Sequence, residues 1–454
     1  MKKEMFGTEI TLLRDTFRRL LRRHAKTNII KLIEKTHPAD TALIFRYFND
    51  SEQDTIFSMM SPSEETVEFL AELDESITVR LLENESSSRI ASILEEASSN
   101  EQAYLMGLVE DEFATSVIEL LQAEEQEELE EMMAYPEDSA GILMYTDVFT
   151  LHEETRAREA IVALQDQDEV EMVFYLYADD DDGRLTGVVS LRDLVTTPSE
   201  TKLKDIMSRK VYAVRPETDQ EEVARIVSQY NFLAVPVVDS EEQLLGIVTV
   251  DDVVDVIREE ATEDFLKMVG AGEDREILLK SSWDNARIRL PWLFASWVGG
   301  IFAAFIIGIF DNVLQSTIAL AAFIPVIMGM GGNIGTQSST IIVRGLATGR
   351  VSIENSMRIL FKEIRVGLML GILYGLLLGV FAMLKFLDVS PMLGVVVGVS
   401  ICISMIIAAT IGSLVPLILN RFEIDPAIAT GPFVTTSIDI LGVACYFLIA
   451  ISLL

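Results

Sequence analysis

The chain has 454 residues, half of them apolar, with 71 acidic and 36 basic side chains and two cysteines. That length allows roughly three domains. A net charge of −35 and a pI near 4.4 exclude a nucleic-acid binder, since the phosphate backbone would repel it. Two cysteines without a C-x-x-C exclude a disulfide framework.

The charge is unevenly spread. Residues 1–285 carry 64 acids and 27 bases, whereas residues 286–454 carry seven acids and nine bases. A very acidic, water-soluble portion therefore precedes a nearly neutral, apolar one. The first residues, MKKEMFGTEI, lack the apolar stretch and small-residue cleavage site of a secretory signal, so the acidic portion is expected in the cytoplasm.

Residues 1–24 are an unassigned N-terminal segment. From 25 to 135, apolar clusters such as Thr41–Phe45, Val67–Leu70 and Ile90–Leu94 recur between Ser, Asp, Asn and Pro. This pattern predicts a helical domain, a compact superhelix of short helices.

Residues 136–258 contain a duplication. Leu185-Thr186-Gly187-Val188-Val189-Ser190-Leu191-Arg192-Asp193 returns as Leu244-Leu245-Gly246-Ile247-Val248-Thr249-Val250-Asp251-Asp252. Each copy reads strand, helix, strand, turn, strand, helix. The doubled G-h-h-[ST]-x-x-D motif resembles a pair of CBS domains, placed at 136–200 and 201–258. Such pairs are regulatory, often dimerise, and sense adenine nucleotides. The resemblance points to Asp193 or Asp252 as the ribose-holding residue and makes ATP an expected ligand, although a nucleotide-free structural pair fits equally well.

The connecting segment, 259–285, follows an acidic run. On a helix, Asp252, Asp255 and Glu259 share one face, and Glu260, Glu263 and Asp264 a neighbouring one. Like charges so placed repel, and only Arg258 intervenes. The run is either a solvated face or a cation site.

Residues 286–454 hold five apolar runs of 21 residues or more: Leu290–Phe310, Thr317–Val343, Val366–Phe386, Leu393–Leu419 and Ala427–Leu454. Each is long enough to span a bilayer. Arg287, Arg289, Arg344, Arg350, Arg358, Lys362, Arg365 and Arg421 fall on one side and only Lys385 on the other. By the positive-inside rule the N-terminus lies in the cytoplasm and the C-terminus outside.

Two features of these spans carry chemistry. The second contains Gly329-Met330-Gly331-Gly332-Asn333-Ile334-Gly335-Thr336-Gln337. This run reads as a helix break or close approach beside a pore, or as a small-residue packing face. The fifth contains Asp439 near its middle, with no intramembrane Lys or Arg to neutralise it. A carboxylate at that depth needs water, a partner or an ion, and a cation site is the favoured reading. Asp425, before Pro426, is either an outer carboxylate of that path or a helix N-cap. Cys402 and Cys445 read as small apolar fillers.

This order of domains resembles the MgtE family of magnesium channels and transporters. The carrying motifs are Pro325–Gln337, Asp425-Pro426-Ala427 and Pro432–Asp439, with Thr218–Arg225 and Ala261-Thr262-Glu263-Asp264. The resemblance implies a homodimer in the lipid bilayer of the cytoplasmic membrane, with a pore on the two-fold axis. Asp439 would be the pore carboxylate, and Gly331, Gly332, Asn333, Thr336 and Gln337 would line the pore. Mg²⁺ is both cargo and regulator in that family. Regulatory sites fall on Asp219, Glu221, Asp252, Asp255, Glu260, Glu263 and Asp264, and closure by intracellular Mg²⁺ is expected. Asn231 and Gly431 depart from residues seen in some relatives. Competing readings are a proton-coupled divalent-metal carrier and a membrane sensor that transports nothing. A zinc protease is excluded, because His24, His37 and His152 lie outside the spans and no H-E-x-x-H occurs.

Overall fold

The computed structural model describes residues 2–165, 174–272, 277, 280–352, 355–387, 390–422, 424–429 and 431–454. It divides into two compact units, residues 1–257 and 258–454.

The first unit begins with ten helices: α1 (Lys2–Arg22), α2 (Lys26–Ile33), α3 (Pro38–Phe45), α4 (Asp50–Phe57), α5 (Glu64–Ala71), α6 (Glu75–Glu83), α7 (Ser87–Leu94), α8 (Ser99–Leu108), α9 (Asp111–Ile118) and α10 (Ala123–Met132). Helices of eight to ten residues are marginal alone. Here each contributes apolar side chains to one buried cluster, among them Phe45, Phe57, Phe69, Leu81 and Leu94. Local signals start them: Pro38 opens α3, and Asn49 caps α4 by accepting from the Glu52 N–H at 3.0 Å. The unassigned N-terminal segment proves to be the long helix α1, held by fully buried Phe17 with Phe48 6.2 Å away.

The duplication follows a short helix, α11 (Ala140–Leu143). Its first copy comprises β1 (Thr150–His152), α12 (Ala157–Gln165), β2 (Tyr175–Asp179), β3 (Leu185–Ser190) and α13 (Leu191–Thr196), and α14 (Leu203–Ile206) leads to the second. The sheet order is β1-β2-β3, with β1 parallel to β2 and β2 antiparallel to β3. The second copy comprises α15 (Gln220–Tyr230), β4 (Ala234–Val238), β5 (Leu244–Thr249) and α16 (Val250–Met268), with β4 antiparallel to β5. Its expected first strand is reduced to one parallel bridge, Val214 to Val237. α16 is one continuous helix, so the last helix of the repeat runs on into the acidic connecting segment. Residues 273–276, 278 and 279 of that segment lie outside the described residues.

The second unit contains α17 (Ser282–Ile309), α18 (Asp311–Ser316), a 3-10 turn (Ile318–Phe323), α19 (Ile324–Ala347), α20 (Ser356–Lys385), α21 (Pro391–Arg421), a second 3-10 turn (Pro426–Ala429) and α22 (Pro432–Leu453). Among the described residues five helical stretches are long and apolar enough to cross a membrane. The chain thus combines an N-terminal helical domain, a CBS pair with small sheets and a five-span membrane domain. α21 packs against α20, α19 and α22. Glycines let α20 and α21 approach backbone to backbone. A Cβ at Gly371 would lie 2.8 Å from the Cys402 carbonyl oxygen, and one at Gly379 would lie 2.7 Å from that of Gly394. This is the close packing that small residues allow between membrane helices.

The glycine-rich run does not break its helix. α19 continues through Gly329–Gln337, and the irregular turn comes earlier, at Ile318–Phe323. A helical glycine costs only about 1 kcal/mol relative to Ala, which close packing offsets. Gly331 faces Ile438 and Ser404, and Gly335 packs on Ile438 and Gly412. Gly331 and Gly335 thus form the small-residue packing face that was the alternative reading, and the helix does not break here.

Candidate ion pathway

Asp439 lies on α22, seven residues beyond Pro432, or about 10 Å along the axis. It is therefore nearer the helix start than its position in the apolar run suggested, because the turn at Pro426–Ala429 takes up the first residues of that run. The side chain is half-buried. Among the described residues it has no hydrogen bond or ion pair, and no charged group acts on it. Neighbouring residues fix its helix. Ile438 packs into Gly331 and Gly335, Gly442 meets Ser404, and Thr436 fits against Gly299 of α17. The hydroxyls of Thr435, Thr436 and Ser437 bond back to backbone carbonyls one turn earlier.

α19 shows two faces. Gly331, Ile334, Gly335, Ser338, Ser339 and Ile342 are buried. Asn333 and Gln337 are exposed, and Gly332 and Thr336 are intermediate. A Cβ at Gly332 would meet nothing within 4 Å. The polar residues singled out from the sequence therefore lie away from the helix–helix core, open in a single copy.

The end of α16 packs onto the start of α22. Lys267 Nζ lies 2.7 Å from Asp425 Oδ2 and 2.5 Å from Glu263 Oε1. Gly270, at φ +68°, packs on Pro432 and Trp292, and a Cβ at Gly431 would lie 3.2 Å from the Met268 carbonyl. Gly270 adopts the left-handed conformation that ends helices without strain only for glycine. Asp425 also accepts from the Ala427 N–H at 2.7 Å, so it is both a cap and half of an ion pair. Burial works against the Lys267 ammonium, but Asp425 and Glu263 outweigh it and raise its pKa above the ordinary lysine value. Burial, and then the Asp425 charge, raise the Asp264 carboxyl.

The two repeat motifs recur as the same local structure. Ser190 Oγ donates to Asp193 Oδ2 at 2.6 Å at the start of α13, and Thr249 Oγ1 donates to Asp252 Oδ2 at the start of α16. Their surroundings differ. Asp193 is exposed, whereas Asp252 receives Asn100 Nδ2 from α8 at 3.4 Å. Burial pushes the Asp252 carboxyl up to about 7, with the Asp251 and Glu101 charges adding to it. Asp219 is exposed and caps α15 by accepting from the Glu221 N–H at 2.8 Å. Glu221 and Asp255 are exposed, and Glu260 is half-exposed. Asn231 ends α15 at φ +55°, a left-handed position that suits asparagine. Among the described residues no group of three or more His, Cys, Asp or Glu side chains is placed to hold a metal ion.

The sequence reading passed over two residues. Lys267 has no signal beyond its spacing of four from Glu263. Glu363 of α20 is 6% exposed and accepts from Ser338 Oγ at 3.0 Å. It lies three residues before the apolar run that marked the third span, so it read as part of a loop.

A membrane bundle whose intramembrane carboxylate has no partner among the described residues, joined to an acidic CBS-bearing portion, has the make-up of a polytopic cation transporter. The sequence matches the family described as "Divalent cation transporter" (MgtE) over residues 324–449, the MgtE intracellular N domain over 36–138 and the CBS domain over 140–200 and 203–259. It is 32% identical to the magnesium transporter MgtE of Bacillus subtilis over 92% of both chains. It is 38% identical to that of Thermus thermophilus over 73% of this chain and 74% of the other. The chain belongs to the MgtE family of magnesium transporters. Two solved structures cover its cytosolic portion. The soluble part of a magnesium transporter matches 56% of this chain and 99% of its own, with a TM-score of 0.50 and 29% identity. The cytosolic domain of the Mg²⁺ channel MgtE in complex with ATP matches 54% and 99%, with a TM-score of 0.51 and 33% identity.

Proposed function

We propose that this protein is a Mg²⁺-selective channel for magnesium uptake across the cytoplasmic membrane, closed by intracellular Mg²⁺. The observation that carries the reading is Asp439: an intramembrane carboxylate, half-open in one copy and lacking a partner among the described residues. In a homodimer two such carboxylates face one another across a two-fold axis, beside the open faces of α19 that carry Gly332, Asn333, Thr336 and Gln337; Gly331, expected among them, lies instead on the buried side against Ile438. Mg²⁺ sheds water reluctantly, so the pair holds the ion through its hydration shell. A monovalent ion gains less from two negative charges. The C-terminus then lies outside, and Asp425 is an outer carboxylate at the cytoplasmic start of α22.

The gate is α16. Its end packs against the first turn of α22 through Lys267, Gly270 and Asp425. Asp219, Glu221, Asp252, Asp255, Glu260, Glu263 and Asp264 are the regulatory ligands, completed across the dimer and through ion-bound water. At low Mg²⁺ the acidic portions repel and the pathway opens. At high Mg²⁺ bridging ions stabilise the compact form, as they must if they are to shift the equilibrium. An adenine nucleotide at the CBS pair, near Asp193, is a further ligand. The relative solved with ATP supports it.

The test is Mg²⁺ uptake into liposomes containing the full chain, with cytosolic-side Mg²⁺ varied, alongside protease sensitivity of the acidic portion. Millimolar Mg²⁺ should suppress uptake and protect the chain. Uptake and cleavage that ignore cytosolic-side Mg²⁺ would refute the sensor. Strict dependence on a proton gradient would favour the carrier.

A further inference from the structure

Glu363 is a buried carboxylate that the proposed mechanism does not use. It lies on α20 with Leu360, Gly367 and Gly371 on the buried side of that helix. Its carboxylate accepts from Ser338 Oγ of α19 at 3.0 Å, and Ser338 is itself 2% exposed. Among the described residues Glu363 has no ion pair. Ser338 is nine residues from the end of α19, and Glu363 is seven from the start of α20. The pair therefore lies roughly 10–14 Å inside the ends of both helices. A buried carboxylate is costly unless it is hydrogen-bonded, and the Ser338 hydroxyl supplies that bond here.

Elsewhere on the Ser338 face of α19 the described contacts are apolar or backbone ones. Gly331 and Gly335 pack against Ile438, and Gly335 meets Gly412 backbone to backbone. Such contacts set the spacing of the helices but include no hydrogen bond. Among the described residues the Ser338–Glu363 bond is the side-chain hydrogen bond that ties α19 to another helix. Asn333 and Gln337 lie about 100–140° around the helix from Ser338, on the exposed side.

We propose that Glu363 is a positioning residue for ion passage: by accepting the Ser338 hydroxyl it holds α19 in the rotation that presents Asn333 and Gln337 to the pathway. The inference rests on the reading of α19 as a pathway helix. A carboxamide at position 363 keeps an acceptor oxygen, and an alanine does not. Removing the bond re-aims the polar face, and misplacing groups by an ångström costs on the order of tenfold or more in rate.

The experiment uses the full chain in liposomes, with Cys402→Ala and Cys445→Ala, and with Asn333→Cys or Gln337→Cys as probes for a charged thiol reagent. In the parent both probes should react, and Mg²⁺ should slow the reaction. Glu363→Ala should lower probe reactivity and Mg²⁺ flux about tenfold, and Ser338→Ala should reproduce this without touching the acid. Glu363→Gln should stay within about twofold of the parent, because its oxygen accepts the same bond. If Glu363→Gln is as impaired as Glu363→Ala, or if Ser338→Ala leaves reactivity and flux unchanged, the positioning role is overturned and the pathway reading stands. Probes that fail to react in the parent would overturn both.

Discussion

Lys267 on the connecting helix reaches Asp425, 158 residues further along the chain, at 2.7 Å, with Glu263 one turn behind it at 2.5 Å. The lysine side chain is only 14% exposed, so this pair is less screened than a surface one. It places a tethered cation among Glu263 and Asp264, two of the acids assigned to Mg²⁺ control, and Asp425, the acid assigned to the outer ion path. Lysine and metal compete for the same oxygens.

Lys267→Gln should therefore sharpen the response to Mg²⁺. Without the ammonium the cluster repels more strongly, so flux at low Mg²⁺ should rise. A divalent ion then meets less competition, and the Mg²⁺ concentration for half-closure should fall about fivefold, a typical coupling between sites. Flux into liposomes against cytosolic-side Mg²⁺ measures both. A half-closure point that stays put or rises would contradict this assignment.

Asp252 sets a pH dependence. Burial holds its carboxyl near about 7, against an ordinary unfolded value near 4. As pH rises from about 4 to about 7 the unfolded chain releases a proton that the folded one keeps, so stability falls across that window and is level above it. Metal binding has the opposite sign, because the ligand must be ionised. At pH 6 only about a tenth of Asp252 is charged, so the Mg²⁺ needed for half-protection from protease should be about tenfold higher than at pH 8. Asp252→Asn should flatten that difference, and a pH-independent midpoint in the parent would remove Asp252 from the ligand set.

Two glycines of the membrane domain should behave differently. A Cβ at Gly412 would run into the backbone of Gly335, where α21 crosses α19. Gly412→Ala should cost about 1–3 kcal/mol through forced separation of the helices, seen as a lower midpoint of thermal unfolding in detergent. Gly332 meets nothing within 4 Å, so Gly332→Ala should leave that midpoint unchanged and reduce flux by narrowing the pathway. Equal effects on stability would contradict the two-faced description of α19.

Apolar run length made the five spans legible, since little else places 21 or more almost uninterrupted apolar residues in sequence. The duplication was legible because Ser190/Asp193 and Thr249/Asp252 repeat a capping arrangement that the fold uses twice. The continuity of α19 was not, because glycine density alone does not distinguish a break from a close approach; only Ile438 and Gly412, distant in sequence, decide it. Glu363 was hidden for a related reason. Hydropathy starts the third span at Val366, whereas the helix starts at Ser356, and a charged first turn and a loop look alike until a neighbour such as Ser338 is in place. Helix α1 was missed because arginines and threonines interrupt the apolar residues, Ile10, Leu13, Phe17, Leu20 and Leu21, that seat it.

The most direct measurement is Mg²⁺ flux into liposomes containing the full chain, parent against Asp439→Asn, with both shown to be folded and equally incorporated. The carboxamide keeps the shape of the side chain and removes the charge. Flux should fall to the level of empty liposomes while the protein elutes and unfolds as the parent does. Undiminished, Mg²⁺-selective flux through Asp439→Asn would contradict the assignment of that carboxylate to the ion path.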